Sequence, residues 1–304
     1  MRKNYFQLIL LLGIFLIACD TEKRTKTPNE QSVKSPYLGQ KPPGLVPKVF
    51  APDVVSIDGR YESVISFSPN LEELYFGANN EGEETAIYFS KLEGGKWTPV
   101  KRANFTKGDK KAELHPFVSP VDQRVYFTAF DSIFSDERIW YVDRLGDSWG
   151  DAVLLDSPVN DGMVFFPNQS RNGDLYYFNL VQMKTYYASN DGGKFPEVQE
   201  VDIAFGHHAF ISPSQDYLVI TARTKEEGRN DNDVYVCFRK PDRSWTDPIN
   251  LRSVINSGLN EKSPSISPDG KYMFFGRDER NIEPGLSNIH WVSTEIIEQV
   301  RPEN

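Results

Sequence analysis

The sequence predicts an all-β chain folded as a single β-propeller of about five four-stranded blades. Two observations predict it. Short apolar and aromatic runs recur with a period of about 50 residues, and each run is bracketed by Gly, Pro, Asn, Asp or Ser turn residues. The runs are too short and too rich in β-branched and aromatic residues for helices.

The repeats are anchored at Ser68-Pro69, Ser119-Pro120, Ser170-Arg171, Ser212-Pro213 and Ser267-Pro268. A short apolar-containing stretch precedes each anchor, which predicts a first strand. After a tight turn come Leu74-Tyr75-Phe76, Val125-Tyr126-Phe127, Leu175-Tyr176-Tyr177-Phe178, Tyr217-Leu218-Val219-Ile220 and Tyr272-Met273-Phe274-Phe275. Third strands are predicted at Ile87-Tyr88-Phe89, Ile139-Trp140-Tyr141, Tyr186-Tyr187, Val234-Tyr235-Val236 and Ile289-His290-Trp291. In four units a turn and an aromatic residue (Trp97, Trp149, Phe195, Trp245) then open a fourth strand. Four short antiparallel strands per repeat describe a propeller blade.

The last repeat lacks its fourth strand, and the segment Pro47-Lys48-Val49-Phe50-Ala51-Pro52 resembles the fourth strands of the other units. It is therefore expected to complete the final blade and close the ring, removing an unpaired edge. A ring of six blades, one of them degenerate, is the alternative, although no sixth anchor is found.

Ser267-Pro268-Asp269-Gly270-Lys271 followed by Tyr272-Met273-Phe274-Phe275 resembles the WD40-like repeat of TolB-type propellers. Ser68-Pro69-Asn70, Ser119-Pro120-Val121 and Ser212-Pro213-Ser214 are degenerate copies, and the third repeat has lost the proline. The resemblance spans roughly residues 46 to 294. It implies architecture and not activity, because one fold hosts many functions.

The first residues read as an export signal. Met1-Arg2-Lys3 precedes an apolar run from Leu8 to Ala18 that meets Cys19. Such a run is too short to span a bilayer, which needs about 20 residues. Leu16-Ile17-Ala18-Cys19 resembles the lipobox of bacterial lipoproteins. That resemblance implies a signal peptide over 1–18 and acylation of Cys19. Dual acylation gives stable anchoring, so the expected location is the cell envelope, on the periplasmic face or the cell surface. Residues 19–45 are polar and Pro-containing, and are expected to form a flexible tether to a propeller domain over 46–304. Cys237, inside Val234-Tyr235-Val236-Cys237-Phe238, reads as a buried hydrophobe.

The chain carries 43 acidic against 34 basic residues, a net charge of −9. That balance excludes nucleic acid as a partner, since such binding needs a concentrated basic surface. The expected partners are the membrane, through acyl chains, and an envelope protein, peptide or glycan.

In a propeller the first strand of each blade lines the central channel. Its leading end and the loop joining strands two and three open on the same face. Six residues before the anchors stand Glu62, Glu113, Val164, Gly206 and Glu261; four before stand Val64, His115, Phe166, His208 and Ser263. Strand-two ends add Asn79, Arg223, Arg277 and Asp278. Glu62, Glu113, His115, His208, Arg223, Glu261 and Arg277 are thus the candidate ligand-binding residues, converging on one mouth. Tyr61, Phe130, Phe165 and Phe166 fall near the same face.

Three functional readings are open. The favoured one is a non-enzymatic binding or scaffolding platform. The second is a glycan-acting hydrolase or lyase using two of Glu62, Glu113 and Glu261. In the third, these carboxylates and histidines hold a divalent metal such as calcium that stabilises the ring; otherwise no cofactor is expected. Asn230-Asp231-Asn232-Asp233 lacks the glycine and distal glutamate of an EF-hand and reads as a solvated loop. No nucleophile elbow, P-loop, dinucleotide fingerprint or zincin helix occurs.

Overall fold

The computed structural model describes residues 36–303, apart from 81, 225, 226, 229 and 279–285. The expected signal peptide, Cys19 and the first part of the expected tether lie outside the described residues.

Five antiparallel blades follow one another along the chain. Blade one comprises Tyr61–Phe67, Glu73–Asn79, Ala86–Glu93 and the outer pieces Lys96–Trp97 and Lys101–Arg102. Blade two comprises Ala112–Val118, Arg124–Phe130, Arg138–Leu145, Ser148–Trp149 and Val153–Leu154. Blade three is built from Val164–Gln169, Leu175–Asn179, Lys184–Ala188 and Val198–Glu200. Blade four is His207–Ile211, Tyr217–Arg223, Asn232–Phe238 and Ile249–Asn250. Blade five is Glu261–Ile266, Tyr272–Asp278 and Ser287–Ser293.

Blade five takes its fourth strand from the other end of the chain. Lys48–Val49 pairs antiparallel with Ser287–Ser293, placing Lys48 opposite Trp291 and Val49 opposite His290. Phe50 N–H continues the ladder to the Ile289 carbonyl at 2.8 Å. The ring therefore closes as expected, with five blades.

The repeated serine is a clasp for the turn between the first two strands. Ser68 Oγ accepts from Glu73 N–H at 2.9 Å and donates to Asn70 at 2.6 Å. Ser267 does the same with Tyr272 N–H (3.0 Å) and Asp269 (2.7 Å), and Ser212 with Tyr217 N–H (3.1 Å) and Asp216 (2.7 Å). These serines are buried, so losing the hydroxyl would strand a backbone donor. The chemistry behind the signature is thus local.

Inner and second strands are buried on both faces, because each blade packs between two others. Aromatic and aliphatic side chains fill five cores among the described residues, one between each pair of adjacent blades. The seam between blades five and one is closed by Phe50, whose ring lies 5.2 Å from Phe274, 5.2 Å from Trp291 and 6.0 Å from Phe67.

The folded part starts before the expected boundary at residue 46. Tyr37 is buried, edge-on to Phe67 (5.2 Å) and Tyr272 (5.1 Å), and its hydroxyl donates to Asp269 at 2.9 Å. The polar composition of that stretch conceals one aromatic anchor. Cys237 is buried as expected, and burial pushes its thiol up to about 12.

Phe50→Ala should remove about 3–5 kcal/mol of stability, the usual cost of emptying a buried phenylalanine site. Urea unfolding of the variant checks this; a midpoint equal to the parent's would mean that the seam holds without it.

Candidate functional site

Each inner strand carries a β-bulge near its leading end, in blade one a residue earlier than in the other four. The pairing with the second strand shifts between Glu62 and Ile65, Leu114 and Phe117, Phe165 and Asn168, His207 and Phe210, and Lys262 and Ser265. In four blades the residue at the shift is left-handed: His115 (φ 53°), Phe166 (63°), His208 (49°) and Ser263 (51°). Such conformations are strained for non-glycine residues, and in two blades a threonine of the neighbouring blade takes up the freed amide. Phe166 N–H donates to Thr128 Oγ1 at 3.3 Å, and Ser263 N–H to Thr221 Oγ1 at 3.0 Å.

A bulge turns two successive side chains toward the same side. The five residues just before the shift or within it, Ser63, Leu114, Phe165, His207 and Lys262, all line one cavity, joined by His115, His208 and Ser263. This cavity, about 590 Å³, opens at the channel mouth where the loops between second and third strands emerge. Those loops supply Ile133, Phe134, Glu137, Leu180 and Met183, while Tyr61, Asn79, Phe130 and Phe178 complete the wall. Ile133, Phe134 and Met183 are 64 %, 69 % and 63 % exposed, so the rim presents apolar groups to solvent.

The floor is a packed group of imidazole and phenyl rings. His115 lies 5.9 Å from His208 and 5.3 Å from Phe165, and His207 lies 4.8 Å from His208. Burial lowers the His115 pKa to about 3. His208 is driven well below its ordinary value by burial, then by the charges of His207, His115 and Lys262. His207 is lowered by burial and then by Arg223. All three imidazoles are therefore neutral at neutral pH. Lys262, on the blade-five wall, pairs with Asp278 at 2.6 Å and lies over the Tyr61 ring at 5.0 Å.

Of the residues singled out in the sequence, His115 and His208 meet in the cavity, with Asn79, Tyr61, Phe130 and Phe165 around them. The three glutamates do not. Glu62 is fully buried and accepts from Arg60 Nε (2.6 Å) and Ile57 N–H (3.1 Å). Glu113 accepts from Phe105 N–H (3.2 Å), Thr106 N–H (2.6 Å) and Thr106 Oγ1 (2.7 Å). Glu261 accepts from Ser257 Oγ (2.6 Å), Ser257 N–H (3.1 Å) and Arg277 Nε (2.8 Å). Each carboxylate grips the connection arriving from the preceding blade, a structural role.

Arg277 is used up by Glu261 and by the Ile255 carbonyl at 2.5 Å. Arg223 is exposed and bonds to Asn230. Neither lines the cavity. Glycine replaces glutamate in blade four because Gly206 has φ 115°, and a Cβ there would stand 2.6 Å from Ile220 Cδ1. Phe166 is buried beneath the floor and not exposed.

Ser63, Leu114, His207 and Lys262 lie one residue out of the register that simple alternation gives, and Glu137 reaches the cavity from a loop. Among the described residues no group of three or more His, Cys, Asp or Glu is arranged to hold a metal.

Fold and site together define a five-bladed β-propeller with an apolar-walled cavity at one channel mouth. No protein-family model and no curated protein matches the sequence, whereas many solved structures match the fold. A glycoside hydrolase is similar with a TM-score of 0.53 and 11 % identity, over 87 % of this chain and 93 % of that one. BT0996, solved as an RGII complex, is similar with a TM-score of 0.51 and 11 % identity, over 83 % of this chain and 91 % of its own. TolB from Acinetobacter baumannii is similar at 0.48 and 14 % identity over 77 % of this chain, which spans 55 % of TolB's length. At these identities the likeness is one of fold.

The neutral histidines make stability pH-dependent. Below its unfolded value of about 6.5, the unfolded chain takes up a proton at His115 that the folded chain refuses until about 3. Stability should therefore fall as pH drops from about 6.5, by at most about 1.4 kcal/mol per pH unit for this one histidine. Urea unfolding at pH 7.5 and pH 5 measures the slope, and His115→Gln should make it shallower.

Proposed function

We propose that this chain is a lipid-anchored envelope protein, held to a membrane by acyl chains on Cys19, whose propeller is a binding platform for a protein, peptide or glycan ligand. One observation carries the binding part: a cavity of about 590 Å³ with aromatic and aliphatic walls and an exposed apolar rim. Cavities of a few hundred Å³ with few polar groups are the usual form of ligand sites. The anchoring part rests on the lipobox resemblance of Leu16-Ile17-Ala18-Cys19.

The competing reading is an enzyme acting on glycans. Glycoside hydrolysis in its common form needs two carboxyl groups about 5–5.5 Å or 6.5–9.5 Å apart. Glu137 is the only carboxylate lining the cavity among the described residues, and Glu62, Glu113 and Glu261 are committed to the fold. This distribution favours the platform. Turnover of a glycan by the purified chain, lost in Glu137→Gln, would instead establish the enzyme.

Two measurements test the platform. In a thermal-shift series of peptides and glycan fragments, at least one class should raise the melting temperature. Ile133→Glu combined with Met183→Glu should abolish that shift while leaving the free protein's melting temperature unchanged. No shift from any ligand, or a shift indifferent to the double variant, would remove the cavity as the site. Separately, Cys19→Ser should move the protein from the membrane to the soluble fraction of expressing cells; retention in the membrane would refute the lipid anchor.

A further inference from the structure

Among the cavity's polar groups, Glu137 stands apart. It is 3 % exposed and lines the cavity. One carboxylate oxygen, Oε1, accepts from Phe134 N–H. The other, Oε2, is buried and has no hydrogen-bond partner among the described residues. The nearby cations are engaged elsewhere: Lys110 with Asp131 (2.6 Å) and Asp136 (3.3 Å), Arg138 with the Glu137 carbonyl (2.8 Å), and Lys262 with Asp278. An unanswered buried carboxylate oxygen is costly. The cavity's imidazoles are neutral and bring no compensating charge, His115 Nδ1 being itself buried without a partner among the described residues, and Asn79 Oδ1, in the same wall, is a second such buried acceptor.

Phenylalanine rings make up a large part of the wall. Phe130, Phe134, Phe165 and Phe178 all contribute to the wall, and ring faces attract cations, most strongly where water is excluded. A sugar would bring many hydroxyls to a wall with few partners for them. An uncharged hydrocarbon would leave the carboxylate unanswered. A protonated amine carried on an apolar or aromatic body answers both the acceptors and the rings.

We propose that the cavity takes a ligand bearing a protonated amine, with the ammonium group on Glu137 and its apolar body against the phenylalanine walls. This deepens the platform reading and rests on it. The same chemistry is presented by a free arylalkylamine and by a lysine side chain of a peptide partner.

The test compares 2-phenylethylamine with its uncharged isostere 2-phenylethanol by calorimetric titration of the purified chain at neutral pH. The amine should bind about tenfold or more tighter than the alcohol, as a charge-assisted hydrogen bond with a cation–π contribution provides. Glu137→Gln, which keeps the shape and an acceptor for Phe134 N–H, should erase that preference by weakening the amine far more than the alcohol. Phe134→Ala, at an exposed rim position that the fold does not need, should weaken both probes.

An acetyl-capped lysine peptide against its norleucine counterpart separates the sources. A lysine preference, lost in Glu137→Gln, assigns a peptide partner; its absence beside an intact amine preference assigns a free amine. Equal affinity for amine and alcohol, or a preference that survives Glu137→Gln, overturns the inference and leaves the platform standing. Failure of both probes together with the whole peptide and glycan series overturns both.

Discussion

A blade of four short strands has two apolar faces and no means of covering either by itself. Every other feature of this molecule follows from that constraint. Inner and second strands are buried along most of their length because the neighbouring blade lies on each side, and the five cores sit between blades, not within them. A chain of such units has two unsatisfied ends unless it closes. Closure here depends on two residues of main-chain pairing, Lys48–Val49, and on the Phe50 ring behind them. The last blade is thus shared between the two ends of the described chain, so neither end can separate without exposing the Phe274 and Trp291 rings.

Closing the ring also fixes what the channel can offer. The bulges bend every inner strand near its leading end, and in two blades the threonines of adjacent blades, Thr128 and Thr221, accept the displaced amides. Left-handed residues in four blades are a stored cost. The cavity is what that cost supports, since the same bend brings His115, His207, His208 and Lys262 to one mouth. A regular strand would send alternate residues into the blade interfaces.

The architecture is legible in the sequence because its signals are local. Serine clasps, turn residues and aromatic runs are read one blade at a time, and the resemblance of Pro47–Pro52 to other fourth strands is enough to place the closure. Alternation along the inner strand misleads. Counting by twos from the anchors puts positions six and four before it on one face, which assigns Glu62, Glu113 and Glu261 to the mouth with His115 and His208. The bulge breaks that parity: the residue five before the anchor faces the cavity in all five blades, while the glutamates turn back to the preceding connection. Bulges follow from pairing across strands, so a single strand's pattern does not announce them. Glu137 is hidden for another reason. It stands in the loop Asp131–Asp136 leads into, where a carboxylate among Ser and Asp residues looks like solvated surface.

Tyr37 carries a consequence for how the molecule is displayed. Its hydroxyl meets Asp269 in the turn between the first two strands of blade five, and that turn lies at the opposite end of the inner strand from the cavity. The first described residues therefore pack on one face of the ring, with the cavity on the far side. The packing of Tyr37 and a ligand filling the mouth therefore occupy opposite faces of the ring and do not compete.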